Sequence, residues 1–209
     1  MKGYTTKSIH TFYTPDIHDG AVIPPLHLST TYGIGNARGY DYSRSGNPTR
    51  EVLEATVAAL DGNAFGLAYS SGSAVLANIV ALLGKEERIL FSSDAYGGTY
   101  RFIVHVAHPQ GIGYDITDFS DLNQVEDVLK KKKTKVIWME TPTNPILKLA
   151  DITALGKLAK EHGVWLVVDN TFASPILQRP ATHGADIVVY STTKYTHITQ
   201  VCNFCEGMT

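Results

Sequence analysis

Short apolar runs punctuate the chain at Phe65–Tyr69, Arg88–Phe91, Lys135–Met139, Val164–Val168 and Ile187–Tyr190, and none of them alternates with polar positions. Unbroken runs bounded by turn residues are the pattern of strands buried on both faces. Between them, Ser73–Leu83, Leu122–Lys131 and Ile152–His162 carry helical spacing; Asp151 is placed to cap the last and Gly163 to stop it. A further helix precedes the first strand: Asn47 is its cap, Pro48 suits its first position, Leu53, Val57 and Leu60 share a face, and Gly62 follows its end. Strands alternating with helices predict an α/β fold, a mostly parallel sheet covered by helices.

Residues 1–47 behave differently. They are rich in Thr, Gly, Pro and Tyr without any sustained period, and read as an extended arm that reaches toward another surface. The α/β domain is expected over 48–195, with 196–209 as a separate tail. No repeat or low-complexity linker divides the chain further.

With 44% hydrophobic and 18% charged residues, the 209-residue chain has the balance of a soluble globular protein with its own core. A net charge of -2 leaves no footprint for nucleic acid, which would demand clustered Lys and Arg. The basic run Lys130–Lys133 ends a predicted helix, where cations complement the dipole and face solvent. Met1–Ser8 holds no apolar core of signal-peptide length and no stretch reaches spanning length, so a cytoplasmic protein without a membrane partner is expected. The cysteines, Cys202 and Cys205, suggest no disulfide framework of the secreted kind.

Ligands of such sheets bind beyond the carboxyl ends of the strands, so the residues after each apolar run carry the candidate chemistry. Ser70-Ser71-Gly72-Ser73 offers small residues and free N–H groups at a helix N-terminus, suited to a phosphate, although an ordinary tight turn has the same composition. No Walker A or G-x-G-x-x-G spacing surrounds it, which argues against a dinucleotide enzyme. In Asp94–Thr99, Tyr96 stands on a glycine-flanked turn, where its ring either stacks on a flat ligand or simply faces water. Glu140–Pro145 offers the Asn144 amide from a loop fixed by Pro142 and Pro145. Asp169 tips an apolar strand, where a bare carboxylate is costly and implies a cation or donor opposite. Ser191, Thr193 and Lys194 bring two hydroxyls and an amine to the neighbouring tip, and an amine on an apolar shelf can lose its proton and attack a carbonyl. Phosphate donors, a stacking ring, an amide, a carboxylate and a lysine at one sheet edge match pyridoxal 5′-phosphate (PLP). The expected signature of that cofactor is a lysine Schiff base with an Asp at the pyridinium nitrogen.

The segments Gly20–Tyr32, Tyr42–Thr49, Asp94–Thr99, Glu140–Pro145, Val168–Pro175 and Ser191–Tyr195 together resemble the Cys/Met-metabolism family of PLP-dependent enzymes, the trans-sulfuration enzymes. Its cystathionine γ-lyase branch is the most similar, and the likeness runs from about Ser8 to Tyr195. The resemblance implies the large-domain fold of fold-type I PLP-dependent transferases. It makes Lys194 the imine lysine, Asp169 the pyridinium partner, Tyr96 the stacking ring and a catalytic residue, and Asn144 the donor to the phenolic oxygen, with Thr171 near the ring. Phosphate falls to the backbone of Gly72 and Ser73 and the hydroxyls of Ser191 and Thr193. Tyr42 and Arg44 join them from a neighbouring subunit of a homotetramer built as a dimer of dimers. Arg44, Tyr96 and Arg101 are implied on the substrate side. Gly98 stands where methionine γ-lyases usually carry a cysteine, and Gln178–Asp186 is lyase-like. The implied activity is cleavage of cystathionine to cysteine, 2-oxobutanoate and ammonia, with freed Lys194 taking the Cα proton and the ring as electron sink. Cystathionine γ-synthase, methionine γ-lyase and O-acetylhomoserine sulfhydrylase chemistry belong to the same family.

The likeness stops just after Lys194-Tyr195, where the family continues with Gly-His-Ser-Asp and this chain reads Thr196 to Thr209. Family members are longer, with a C-terminal domain that supplies an arginine for the substrate carboxylate. The chain is therefore expected either to act as a lyase or to be an inactive truncated isoform that binds only PLP or a full-length partner. Cys202 and Cys205 with nearby His197 fall short of the four ligands of a structural zinc site, and no metal is expected.

Overall fold

The computed structural model describes residues 3–63, 65–195 and 200–204. In chain order the helices and strands begin with α1 (Tyr4–His10), α2 (Pro48–Asp61), β1 (Phe65–Tyr69), α3 (Gly72–Val80), β2 (Arg88–Ser92) and α4 (Gly97–Phe102). They continue with β3 (Gly113–Thr117), α5 (Leu122–Lys131), β4 (Thr134–Glu140), α6 (Ile152–His162), β5 (Trp165–Asp169), α7 (Ser174–Leu177), β6 (Ile187–Tyr190) and β7 (Gln200–Phe204). A π-helical turn, Ile103–Ala107, prolongs α4.

The strands form one sheet in the order β1-β7-β6-β5-β4-β2-β3. Strand β7 runs antiparallel to both of its neighbours, while β2, β3, β4, β5 and β6 pair in parallel. The α/β architecture with a mostly parallel, helix-covered sheet is therefore as the apolar runs predict. Successive residues explain why those runs do not alternate. Val136 and Trp138 of β4 and Val167 of β5 pack with Val75, Ile79 and Ile103 on one face. Ile137 and Met139 of β4 and Leu166 and Val168 of β5 pack with Val125, Leu129 and Leu155 on the other. Both faces are dry, so every position must be apolar.

Helix ends obey the local chemistry. The Asn47 side chain accepts from the N–H groups of Thr49 and Arg50, and Gly62 closes α2 in the left-handed region at φ 81°. Asp151 caps α6 by accepting from Ala154, 3.0 Å away. Three elements depart from the sequence expectation. The first 47 residues are not wholly extended, since they include α1, which lies against α2. Strand β3 lies at the sheet edge and holds a charge, Asp115, which pairs with Arg88 at 2.6 Å; this polarity hides it from an apolar-run search. Beyond residue 195, where the domain was expected to end, the backbone of 200–204 enters the sheet between β1 and β6. Among the described residues no helix is long and apolar enough to cross a membrane.

A buried polar chain ties α2 to the strand tips. Tyr190 donates to Asp61 Oδ1 at 2.7 Å and accepts from Asn170 Nδ2 at 2.8 Å. Gln178 Nε2 then donates to Asn170 Oδ1 at 2.8 Å and to the Thr141 carbonyl at 2.9 Å. Asp61 and Asn170 are fully buried, so removing one link leaves polar atoms in a dry site. Tyr190→Phe is expected to lower the unfolding free energy by about 2 kcal/mol with an unchanged denaturant slope, measured by urea denaturation.

Candidate active site

The loops that follow β1, β2, β4, β5 and β6 converge on one cavity of about 260 Å³ at the carboxyl edge of the sheet. The amino end of α3 borders it with Ser71, Gly72 and Ser73. Ser71 caps that helix by accepting from Ala74 at 3.1 Å, and the first N–H groups of any helix have no partner within it. Trp138 closes the space from β4. Tyr96 enters from the turn before α4, Asn144 from the loop after β4, Asp169 and Thr171 from the end of β5, and Ser191, Thr193 and Lys194 from the loop after β6.

Asp169 is held on one side only. Its Oδ1 accepts from the Thr171 N–H at 3.1 Å and from the Thr171 hydroxyl at 2.5 Å, while among the described residues Oδ2 accepts nothing. Burial pushes its carboxyl up, against the two Thr171 bonds. Thr171 Oγ1 in turn accepts from the Ser191 N–H at 2.8 Å, locking the loop after β5 to the loop that carries Lys194. Asp94 does the same elsewhere: it accepts from Ser92 and Thr143, each at 2.5 Å, joining the loops after β2 and β4.

Glu140 has the most constrained position. It ends β4 directly opposite Asp169 in the register of β5 and is 5% exposed. Its two carboxylate oxygens accept from the Tyr96 N–H at 2.8 and 2.9 Å, and Oε1 also accepts from Thr99 at 3.4 Å. The Asn144 N–H faces it as well and favours its charged form. Burial, and then the charge of Asp169, push its carboxyl up from 4.5 to about 8. Sequence reading gave Glu140 no role. The signal was the one that exposed Asp169, an acid at the end of an apolar strand with no cation beside it in sequence.

Of the expected site residues, Gly72, Ser73, Tyr96, Asn144, Asp169, Thr171, Ser191, Thr193 and Lys194 all border the cavity. Thr193 and Lys194 are exposed, not set on a buried apolar shelf. Arg101 lies elsewhere, on a separate hollow of about 250 Å³ with Tyr100 and Phe91. Tyr42 and Arg44 also stand apart from the cavity: Arg44 lies over the Tyr42 ring, 4.8 Å from its centroid, and donates to its hydroxyl at 2.5 Å. His197 and Cys205 lie outside the described residues.

The sequence model for "Cys/Met metabolism PLP-dependent enzyme" matches residues 5–199. The chain belongs to that family. It is 44% identical over 196 residues to a probable cystathionine γ-synthase of Herpetosiphon aurantiacus, covering 92% of this chain and 61% of the relative. It is 43% identical over 198 residues to a cystathionine β-lyase of Lactococcus lactis, covering 93% of this chain and 52% of that protein. The crystal structure of a cystathionine γ-lyase from Lactobacillus plantarum complexed with L-serine superposes with a TM-score of 0.91 at 36% identity, covering 98% of this chain and 55% of that one. The chain thus spans roughly half to three-fifths of the length of these relatives. The family works with PLP, and its members metabolise cystathionine as lyases and synthases.

The cavity fits that cofactor by its donor set: helix N–H groups and hydroxyls for a phosphate, an amine for an aldehyde, and an unfilled carboxylate oxygen for a protonated ring nitrogen. Two predictions follow from the geometry. A Cβ on Gly98 would lie 2.4 Å from Tyr96 Cε1, and that ring is 49% exposed and free to swing. Gly98→Ala is therefore expected to keep the unfolding free energy within about 1 kcal/mol. It should weaken PLP by about tenfold through lost stacking, measured by cofactor titration. The second concerns pH. Because the folded-state pKa of Glu140 is raised, its contribution to stability is full below about 4.5 and is lost as pH rises toward 8. In cofactor-free protein, wild type should lose stability relative to Glu140→Gln between about pH 5 and 8, with a slope approaching ~1.4 kcal/mol per pH unit. Parallel denaturation profiles would remove the assigned proton.

Proposed function

We propose that the cavity holds PLP on Lys194 and that the chain carries the cofactor site of a trans-sulfuration lyase, which cleaves cystathionine to cysteine, 2-oxobutanoate and ammonia. The observation that carries the reading is the single open oxygen of Asp169, in a cavity whose other walls are the Tyr96 ring, the Asn144 loop, the amino end of α3 and the Lys194 amine. Bound PLP supplies an electron sink for negative charge developing at the substrate's α and β carbons.

The residues have complementary tasks. Asp169 Oδ2 holds a proton at the ring nitrogen, and Thr171 keeps Oδ1 occupied so that Oδ2 is the oxygen left for that task. Tyr96 stacks on the ring and stands on the substrate side, and Asn144 donates to the phenolic oxygen. The N–H groups of Gly72 and Ser73 and the hydroxyls of Ser191 and Thr193 bind phosphate. The Lys194 amine anchors the cofactor and then moves a proton at the substrate Cα.

Among the described residues Lys194 is the only cation on the cavity wall, against two carboxylates. A phosphate dianion therefore calls for a cation from elsewhere. We assign it to Arg44, with Tyr42, from a second copy of the chain, on the dimer-of-dimers plan of the family. Ile17, Val22, Ile23, Leu26, Leu28 and Ile34, each at least 70% exposed, give the arm an apolar surface for that contact. Arg101, outside the cavity, is retained as a substrate-side residue only on the family pattern.

Purified protein mixed with PLP is expected to develop the visible absorption of lysine-held cofactor, and Lys194→Ala to lose it. Cystathionine should then yield 2-oxobutanoate, falling to background in the same variant. Absence of the visible band sinks the cofactor assignment. A band without 2-oxobutanoate leaves cofactor binding in place and overturns γ-cleavage by this chain.

A further inference from the structure

The loops after β2 and β4 carry Tyr96 and Asn144, the two residues proposed to meet the face and the phenolic edge of the cofactor. Asp94 joins the two loops through Ser92 and Thr143. Both also meet at a second group, the buried Glu140 carboxylate, which accepts from the Tyr96 N–H with both oxygens and, more weakly, from the Thr99 hydroxyl, and which the Asn144 N–H faces. The same carboxylate stands opposite Asp169 in the strand register. One side chain thus spans three of the groups that a flat, edge-recognised ligand would need.

Resting on the PLP reading above, we propose that Glu140 is a positioning residue: it sets Tyr96 and Asn144 against the bound cofactor and does not itself touch the reacting atoms. A carboxylate beside a second carboxylate in a dry site is unfavourable, and a hydrophobic residue of the same volume would relieve it. What such a residue could not do is accept from the Tyr96 N–H with two oxygens while presenting an acceptor toward the Asn144 N–H. The groups facing Glu140 are the Tyr96 and Asn144 N–H, the Thr99 hydroxyl and Asp169, and no cation is among them. Its place there is explained by what it holds.

The requirement is for an acceptor at one place, not for charge. Glu140→Gln keeps an acceptor oxygen at the same distance from the backbone. Glu140→Asp keeps the carboxyl group but withdraws the acceptor by one methylene. Glu140→Leu keeps the volume and removes the acceptor. In the full chain titrated with PLP, Glu140→Gln is expected to bind within about threefold of wild type. Glu140→Asp should lose about fivefold and Glu140→Leu at least about tenfold.

Visible circular dichroism per bound PLP supplies the readout that a merely structural role would not move, since it reports how asymmetrically the ring is seated. It should be retained in Glu140→Gln and fall by about half in Glu140→Asp and Glu140→Leu at saturating cofactor. Adding Tyr96→Ala to Glu140→Leu should cost less than Tyr96→Ala alone, because the ring is already misplaced. If Glu140→Leu does not fold, the comparison of Gln with Asp decides. Wild-type affinity and dichroism in Glu140→Asp overturn the proposal, as does a loss in Glu140→Gln equal to that in Glu140→Asp. A wild type that takes up no PLP overturns both this inference and the cofactor reading, whereas uptake with all variants alike overturns this inference only.

Discussion

Two carboxylates end adjacent parallel strands side by side, Glu140 on β4, buried, and Asp169 on β5, half-buried, at a sheet edge where neither is left bare. The cost of keeping these groups out of bulk water organises everything around them. Glu140 draws the Tyr96 N–H and the Thr99 hydroxyl onto its oxygens, and Asp169 draws Thr171, whose hydroxyl then takes the Ser191 N–H. Each bond that quiets a carboxylate also pins a loop. The loops after β2, β4, β5 and β6 are connected through the bonds that these acids and Thr171 make, with Phe172 against Tyr195 beside them. Among these contacts only Asp169 Oδ2 is left over, and a partly buried acid with one unused oxygen on a cavity wall is a site for a cation or an N–H donor.

The sheet makes this arrangement available. Because β2, β4, β5 and β6 run in parallel, their carboxyl ends meet at one edge, and the order β6-β5-β4-β2 brings their loops into adjacent positions. Both faces are sealed by helices, so the edge is where polar chemistry can accumulate without opening the core. The buried chain Asp61–Tyr190–Asn170–Gln178 fastens the same edge from behind: Asn170 lies between Asp169 and Thr171, and Tyr190 precedes Ser191. Stability and site geometry therefore share residues. A substitution that loosens this chain reaches the cavity through one peptide bond.

Legibility in the sequence followed burial. Strands covered on both faces, such as β4 and β5, announce themselves as unbroken apolar runs, and helices with a cap and a glycine stop, such as α2 and α6, are bounded almost to the residue. The edge strand β3 was not legible, because Asp115 and an exposed Ile116 break its pattern. Strand β7 was not either: Gln200 and Asn203 interrupt it, and its place is fixed by β1 and β6 rather than by its own composition. At the site, residues that follow an apolar run could be found by position, as Asp169 and Lys194 were. Glu140 follows its run as Asp169 does, but what it holds, at residues 96 and 99, lies at separations that no local pattern encodes.

Charge decides how the remaining pieces divide. The cavity wall gathers two acids, one amine and several neutral donors, a set that suits the ring and aldehyde of PLP better than its phosphate. Neutral N–H groups and hydroxyls can orient a phosphate, but a dianion in a partly dry site draws a cation if one is within reach. Arg44 is exposed and stacked on Tyr42 in an arm whose apolar side chains face outward, away from any partner within the described residues. On the proposed reading these facts have one cause. The arm is shaped for a surface that a single copy does not provide, and the missing positive charge of the phosphate site travels with it.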